Sequence, residues 1–295
     1  MGISIAIEGS EGAGKSVLHK LTEILFKETT DFSVLATREP GGTKLGSMVR
    51  TILKGDDFQD MHAISNVLLY STARAELFFK KEVPFLEEHP RGILLKDRSW
   101  LSTVCLQTVD GAGLEYIDLV QQPFKEIPHK FAIIDIPVLE TVVRMESVSR
   151  YSSDREIDWR DKQTQENLGK IRENYLSYAI KNRDKCIVLD CFDDPWKKAA
   201  TIKYESIKLL MSKEGLVLDE AQLGIFIDEA RQLGTTYASK EGGTFGTFDI
   251  AEYREQVEET RQKLGYPNRE ELQAGMHEEW RAMGIEGAGV GIERK

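Results

Sequence analysis

Eight consecutive residues near the start of the chain have the types and spacing of a phosphate-binding loop: Gly9, Ser10, Glu11, Gly12, Ala13, Gly14, Lys15 and Ser16. They fit the pattern G-x-x-x-x-G-K-[ST]. Glycines leave room for backbone N–H groups to surround phosphate oxygens, and the N-terminus of a following helix adds partial positive charge. In this pattern the lysine reaches the β- and γ-phosphates, and the hydroxyl after it ligates Mg²⁺. We therefore expect a site for ATP or a similar nucleoside triphosphate, with Lys15 as a catalytic cation and Ser16 as a metal ligand.

The residues on either side of this loop have the patterns that such a loop requires. Residues 3–7 form a short run rich in isoleucine, which is typical of a buried parallel strand. Residues 17–26 carry apolar side chains at helical spacing. A glycine-rich turn that only packs a helix on a strand is the alternative, and the complete strand–loop–helix pattern argues against it.

Four further short apolar runs predict the rest of a sheet: residues 33–36, 92–96, 131–136 and 186–189. Segments with helical periodicity separate them, notably residues 68–86, 136–145 and 170–180. Strands that alternate with helices predict an α/β P-loop kinase fold, with a five-stranded parallel sheet and helices on both faces. Ligands of such sheets bind at the carboxyl ends of the strands, so the residues just after each run are candidates for the site.

Composition limits the possible partners and the cellular compartment. The chain has 295 residues and a net charge of −10, which argues against a nucleic-acid partner. It has no apolar run of membrane-spanning length and no basic leader before the first strand, so we expect neither a membrane partner nor secretion. The three cysteines show no C-x-x-C spacing and predict reduced thiols in the cytoplasm.

Two segments differ from the body of the predicted kinase domain, residues 1–213. Residues 145–164 are polar and charged, which fits either a solvated loop or a mobile lid that brings arginines to the triphosphate. Residues 214–295 read as an acidic, mainly helical C-terminal extension of unknown role. From residue 215 onward there are 16 acidic against 9 basic residues. Because no recognisable chemistry lies there, we expect a chain that ends near Gly215 to keep its activity.

Three stretches after the phosphate-binding loop resemble successive signatures of the bacterial thymidylate kinase family: TREPGGTKLGSMVRTIL at 37–53, LLYSTARAELF at 68–78 and LLKDRSWLSTVCLQ at 94–107. The resemblance runs from about Ile3 to about Leu209 and leaves out the acidic extension. It implies transfer of the γ-phosphoryl group of ATP to dTMP, giving dTDP and ADP. It also implies a homodimer.

The acceptor of this reaction is itself a phosphate, so two anions must be brought together. Arginines that donate two hydrogen bonds to a phosphate meet this need, and Arg38 and Arg98 follow predicted strands. The resemblance makes Asp97 a catalytic residue that holds Mg²⁺ through water. It implies an acceptor pocket formed by Arg38, Glu39, Pro40, Tyr70, Arg74, Arg98, Thr103, Leu106 and Gln107.

Two features of this pocket concern the selection of base and sugar. Tyr70 and Arg74 lie four residues apart on a predicted helix, so the ring can stack on a pyrimidine while the guanidinium donates to its O4 atom. Leu106 stands where the family commonly has a tyrosine beside the sugar. We therefore expect weaker discrimination against ribose than is usual in the family.

The lid is expected to supply the remaining positive charge. In the resembled family, a phosphate-binding loop without arginine goes with a lid that carries the catalytic arginine. The loop here has Glu11 and no arginine, so one of Arg150, Arg155 and Arg160 is expected to be catalytic. Arg155 is the first candidate and Arg150 the second. Arg144 matches the family position that faces adenine.

Three other functions share some of these features. A deoxynucleoside kinase has a similar loop and would use Glu39 as general base towards a hydroxyl acceptor. Another nucleoside monophosphate kinase would keep the same acceptor arginines. A nucleotide-dependent adaptor would use the acidic extension to bind a protein, and it would not need an acceptor pocket.

Overall fold

A computed structural model of the chain describes residues 1–58, 60–151, 164–240, 244–245, 248–285 and 287. The strands are β1 (Ile3–Glu8), β2 (Val34–Arg38), β3 (Ile93–Asp97), β4 (Lys130–Asp135), β5 (Cys186–Asp190), β6 (Thr244–Phe245) and β7 (Phe248–Asp249). The helices are α1 (Lys15–Thr29), α2 (Lys44–Lys54), α3 (Ala63–Leu77), α4 (Val83–Glu88), α5 (Trp100–Gln107), α6 (Leu114–Gln121), α7 (Val138–Tyr151), α8 (Gln165–Lys181), α9 (Pro195–Lys213), α10 (Ala221–Lys240), α11 (Ile250–Leu264) and α12 (Arg269–Met283).

Five parallel strands form the central sheet in the order β2-β3-β1-β4-β5. Every residue of β1, the middle strand, is buried. A parallel sheet covered on both faces needs such continuous apolar strands, which is why short apolar runs predicted all five. The register places Ile7 opposite Asp97 on one side and Ala132 on the other. The predicted fold is confirmed, and its strand ends meet at one edge of the sheet.

The segment predicted as one helix over residues 68–86 is divided in the structure. Helix α3 ends at Leu77, a π-helical turn spans Phe78–Glu82, and α4 follows with Pro84 in its first turn. A proline there lacks the N–H that a continuous helix would use, and a π turn shifts the register of the side chains. Glu82 is completely buried in this turn, where it accepts a hydrogen bond from Thr37 at 2.8 Å.

The C-terminal extension packs on the kinase body. Helix α10 packs against α9, and α11 packs against α7. Between α10 and α11, β6 and β7 form a short antiparallel pair within a segment that the sequence marks as a glycine-rich loop. Helix α12 begins with a capping box at Asn268, which fixes its first turn.

A buried cluster of charges ties β2 and β3 to the π turn. Lys96 Nζ lies 2.9 Å from Glu39 Oε1 and 2.5 Å from Glu82 Oε2. Arg74 Nε lies 2.6 Å from Glu39 Oε2. Burial alone would raise the pKa of Glu39, but Arg74 and Lys96 outweigh it and hold that pKa below its ordinary value. The cluster fixes the backbone at the carboxyl end of β2, where two acceptor candidates lie.

Replacing Lys96 with methionine should destabilise the fold by about 3–5 kcal/mol, because Glu39 and Glu82 would then share too little positive charge. Urea denaturation followed by circular dichroism measures this change. Lys80→Met is the matched control, since Lys80 also pairs with a glutamate but is exposed. Its loss should cost less than about 1 kcal/mol. Similar costs for the two variants would contradict a structural role for the buried cluster.

Candidate active site

The phosphate-binding loop joins β1 to α1 at the edge of the sheet where the strands end. Gly9 has φ 140°, and a Cβ there would lie 2.6 Å from the carbonyl oxygen of Ile134. Gly14, which directly precedes α1, has φ 87°. Both backbone conformations favour glycine over any residue with a side chain. The loop is thus shaped by its own glycines, with the positive end of α1 facing the cavity.

Lys15 begins α1, and its side chain is buried. Its Nζ donates a hydrogen bond to the carbonyl oxygen of Ser10 at 2.6 Å. Burial and the charge of Arg98 lower the pKa of Lys15 to about 8, although Glu11 and other nearby carboxylates oppose the shift. The lysine is therefore charged at pH 7, and a bound polyphosphate would stabilise that charge.

Ser16 and Asp97 are brought together from two elements that are far apart in the sequence. Ser16 Oγ donates to Asp97 Oδ2 at 2.8 Å, and Arg38 Nε lies 3.5 Å from the same oxygen. A hydroxyl and a carboxylate are hard oxygen ligands of the kind that Mg²⁺ prefers. Among the described residues, no group of three or more His, Cys, Asp or Glu side chains is placed to hold a metal ion. Two protein oxygens suit a Mg²⁺ ion that completes its shell with phosphate oxygens and water.

Arg98 adopts a backbone conformation that is rare for a residue with a side chain. Its φ is 73°, in the left-handed region, and the other residues with positive φ in the described part of the chain are glycines. Backbone strain of this kind is concentrated at functional sites. Its guanidinium donates to Ser102 Oγ at 3.0 Å and forms an ion pair with Glu11 of the phosphate-binding loop. The strained turn thus aims Arg98 at the donor loop.

A buried carboxylate that the sequence analysis did not single out supports this turn. Glu8, the last residue of β1, accepts hydrogen bonds from Ser99 and Ser102, each at 2.6 Å, and from Tyr175 at 3.2 Å. Burial raises the pKa of Glu8, which its hydrogen-bond donors only partly offset. Its place directly before the loop was the available signal. A charged residue that ends a buried strand needs partners at the edge of the sheet.

One cavity of about 570 Å³ joins the predicted donor and acceptor residues. On the donor side it is lined by Glu11, Gly12, Ala13, Gly14, Lys15, Ser16 and Arg144. On the acceptor side it is lined by Arg38, Glu39, Pro40, Tyr70, Asp97, Arg98, Thr103, Leu106 and Gln107. The whole lining contains ten Lys and Arg against six Asp and Glu, although the chain carries a net charge of −10. The cavity is therefore basic and suited to polyanions.

Gly9, Ser10 and Arg74 are the predicted site residues that lie behind this lining. The carbonyl oxygens of Gly9 and Ser10 accept hydrogen bonds from Arg98 and Lys15. Arg74 is 2% exposed, and its guanidinium donates to Glu39, Gln121, Thr103 and the carbonyl of Ser99. In this structure Arg74 shapes the acceptor wall, and its contact with a pyrimidine stays a prediction.

The two lid arginines cannot be located in the same way. Arg155 lies outside the described residues. Arg150 lies in the last turn of α7, where only the backbone is described. Arg144, two turns earlier on the same helix, does line the cavity, and it donates to the carbonyl oxygens of Gly12 and Cys191. The catalytic role of a lid arginine stays a prediction.

Several cavity residues were missed by the sequence analysis. Arg50 and Lys54 lie four residues apart on α2 and both line the acceptor side, so the helical spacing after the GGT motif was the available signal. Lys198 on α9 donates to the carbonyl oxygens of Asp190, Cys191 and Asp193, and it holds the loop after β5. Nothing in its local sequence distinguishes Lys198 from a surface lysine.

No helix within the described ranges combines the length and the apolar content needed to cross a bilayer.

Comparisons with known proteins agree with this site. A sequence profile of the thymidylate kinase family matches residues 7–194. The thymidylate kinase of Chlamydia felis (strain Fe/C-56) is 33% identical over 193 residues, which are 63% of this chain and 88% of that protein. That of Chlamydia abortus (strain DSM 27085 / S26/3) is 33% identical over 220 residues, 71% of this chain and 99% of that protein. The crystal structure of thymidylate kinase from Ehrlichia chaffeensis matches with a TM-score of 0.52 at 25% identity, over 71% of this chain and 98% of that one.

A parallel sheet in this strand order, a phosphate-binding loop after its middle strand and a basic acceptor pocket define a P-loop kinase of nucleoside monophosphates. The profile match and the shared identity make the assignment more specific. The chain belongs to the thymidylate kinase family, which confirms the resemblance seen in the sequence. Phosphorylation of dTMP by ATP is therefore favoured over the deoxynucleoside kinase alternative.

The titration of Lys15 gives a pH dependence with a definite sign. Because its pKa is about 8, kcat/KM for ATP should fall as the pH rises through that value and Lys15 loses its charge. The falling limb of kcat should lie at higher pH, since bound phosphates favour the charged lysine. Initial rates between pH 6 and 10 measure both limbs. Lys15→Arg is the control, because its guanidinium stays charged over this range. The same limb in that variant would contradict the assignment to Lys15.

Proposed function

We propose that this chain transfers the γ-phosphoryl group of ATP to dTMP at the junction of the two halves of its cavity, where Ser16 and Asp97 would hold Mg²⁺. One observation carries the proposal. The phosphate-binding loop and the predicted acceptor residues line the same cavity, and Ser16 contacts Asp97 where the two sets meet. The family membership supports the same reaction.

The residues of the loop bind and orient the donor. Backbone N–H groups at the start of α1 receive the phosphates, and Lys15 balances charge on the transferring group. When bound, Mg²⁺ neutralises phosphate oxygens and fixes their orientation. Ser16 would hold it directly and Asp97 through water. Lys15, Ser16 and Asp97 would together orient the γ-phosphoryl group for in-line attack, which is most of what phosphoryl transfer requires.

The residues after β2 and β3 bind the acceptor phosphate. Arg98 forms an ion pair with Glu11, so an acceptor phosphate would compete with that carboxylate for the guanidinium. Arg38 is exposed at the mouth of the site and contacts Asp97 at 3.5 Å. Two such arginines would offset the repulsion between the acceptor phosphate and the triphosphate. Tyr70, Leu106 and Gln107 then surround the base and the sugar.

The surroundings of Glu39 argue against a deoxynucleoside kinase. In that alternative Glu39 would remove a proton from a hydroxyl. Here Arg74 and Lys96 both contact its carboxylate, and they hold its pKa below the ordinary value. A carboxylate stabilised in this way is a weak base. A monophosphate acceptor needs no such base, so the geometry favours dTMP.

The cellular compartment is inferred from the cysteines, and the assembly state from the family resemblance. The buried or half-buried thiols of Cys105, Cys186 and Cys191 have pKa values that burial raises, to about 12 for the last two. Such thiols are unreactive and fit a reducing cytoplasm. A homodimer is inferred from the family resemblance. Residues 1–213 form the kinase domain of this proposal, with its lid at about 145–164.

The reaction is tested by ADP release from Mg-ATP with dTMP, dUMP, other nucleoside monophosphates and thymidine as acceptors. Turnover should be highest with dTMP. Lys15→Ala should lower turnover by several orders of magnitude. Loss of one group that stabilises charge in the transition state costs about 10²–10³ or more in kcat. Lys20→Ala, an exposed lysine on the same helix, is the control and should leave turnover unchanged. Transfer to thymidine without transfer to dTMP would instead support the deoxynucleoside kinase.

The lid contribution has a separate test. Arg155→Ala should lower kcat far more than it changes KM for dTMP, because the guanidinium would act on the transferring group. Arginines of this kind are worth about 10³–10⁵ in rate. Arg91→Ala is the control, because Arg91 is exposed and does not line the cavity. An unchanged kcat for Arg155→Ala together with a large loss for Arg150→Ala would transfer the role to Arg150.

A further inference from the structure

The donor side of the cavity has a wall that comes from the C-terminal extension. Residues of α11 and the first residue of α12 line the same cavity as the phosphate-binding loop: Tyr253, Arg254, Val257, Glu258, Arg261 and Arg269. These residues lie beyond the family match, which covers residues 7–194. Their presence in the lining gives the extension, whose role the sequence left unknown, a direct relation to the site.

Helix α12 is fixed to the ends of two sheet strands. Gln273 Nε2 and His277 Nε2 lie 2.5 and 2.8 Å from Asp190 Oδ2, at the end of β5. Trp280 Nε1 donates to Asp135 Oδ2 at 2.7 Å, at the end of β4. Both aspartates are buried, so these bonds replace lost hydration. Strand ends that the fold would offer to a ligand are here used to hold the extension over the donor side.

A buried chain of charges connects α11 to Arg144, which the family resemblance places at the donor base. Glu140 of α7 is 1% exposed and accepts from Arg144 Nε at 2.6 Å through one carboxylate oxygen. Its other oxygen accepts from Arg261 of α11, which is 2% exposed. Arg261 also pairs with Glu258, one turn earlier. Glu140 is thus shared by two arginines, one from the kinase body and one from the extension.

The two ion pairs of Glu140 determine where the side chain of Arg144 lies. With both arginines present, the buried carboxylate of Glu140 has a cation on each oxygen, and Arg144 remains able to reach the carbonyl of Gly12. Without Arg261, one oxygen of Glu140 would be buried without its cation. Arg144 or water would have to move to satisfy it. The Nε–H of Arg261 itself is buried and has no hydrogen-bond partner among the described residues.

A second contact from the extension reaches the loop after β5. Arg269 donates to the carbonyl oxygen of Phe192, and its guanidinium carbon lies 5.7 Å from the centre of the Phe192 ring. The guanidinium carbon of Arg144 lies 5.8 Å from the same ring. Phe192 lines the cavity. The extension therefore contacts Glu140, the partner of Arg144, and the ring of Phe192.

We propose that α11 and the start of α12 form the outer wall of the subsite for the base of the donor purine nucleoside triphosphate. Within it, Arg261 is a positioning residue that holds Arg144 through Glu140. The inference rests on the proposed function in taking the phosphate-binding loop as the donor site. It replaces the expectation that a chain ending near Gly215 keeps full activity, because that chain would lack this wall.

The test compares a donor that has a base with one that has none. Binding of Mg-ATP and of Mg-tripolyphosphate is measured by calorimetry on the full chain and on Arg261→Met, Arg261→Lys and Arg231→Met. Arg231 is the matched control, since it also belongs to the extension and pairs with an acidic residue three positions earlier, but on an exposed face.

Arg261→Met should weaken Mg-ATP binding about tenfold, because that is the effect expected from losing a hydrogen bond to a charged group. It should change tripolyphosphate binding less than about twofold. Arg261→Lys should restore most of the loss, and Arg231→Met should show none. In steady state, KM for ATP should rise while KM for dTMP stays unchanged. Equal losses for both donors, or no loss for either, would overturn the proposal.

Photolabelling of the unaltered chain with 8-azido-ATP gives a second result that does not depend on the folding of any variant. The label should fall within residues 250–270 as well as in the kinase body. Labelling confined to residues 1–213 would overturn the proposal. A chain that shows the expected labelling and donor binding, yet phosphorylates no dTMP, would overturn the proposed function and leave the donor-base wall supported.

Discussion

Two anionic nucleotides have to meet in one cavity, and the positive charge that this requires must be kept in place in an acidic chain. Buried cations lose hydration and repel one another, and a carboxylate partner offsets both costs. Three such pairs surround the cavity: Glu11 with Arg98, Glu39 with Arg74 and Glu140 with Arg144. The first two pairs join elements that are distant in the sequence, and the third lies on one face of α7. The charges of the site therefore also hold its walls together.

The parts of this arrangement that follow from local pattern were predictable. The strand before the phosphate-binding loop is continuous and apolar, and the loop itself has a fixed spacing. Asp97 and Arg98 were found because they end a predicted strand, and parallel strands deliver their ends to one edge. The structure places Ser16 against Asp97 across 81 residues, as that rule requires. Here local chemistry and the topology of the sheet agree.

Other parts depend on contacts that leave no local trace. Asp135 and Asp190 also end strands, at the edge where ligands of such sheets bind, yet they receive Trp280, Gln273 and His277 from the extension. The sequence does not show which helix will cover a strand end. Arg74 illustrates the same limit, because its spacing from Tyr70 predicts a shared helix face but not four protein partners for its guanidinium.

The position of α12 on the ends of β4 and β5 has a consequence for synthesis on the ribosome. All five strands of the central sheet lie within residues 3–190, so they are synthesised before α12. Until α12 is made, the described partners left to the carboxylates of Asp135 and Asp190 are Arg172 and the backbone N–H of Phe192. Because α11 and α12 come last in the chain, the donor-base subsite that we propose gains its outer wall only after the phosphate-binding loop and the sheet have been synthesised.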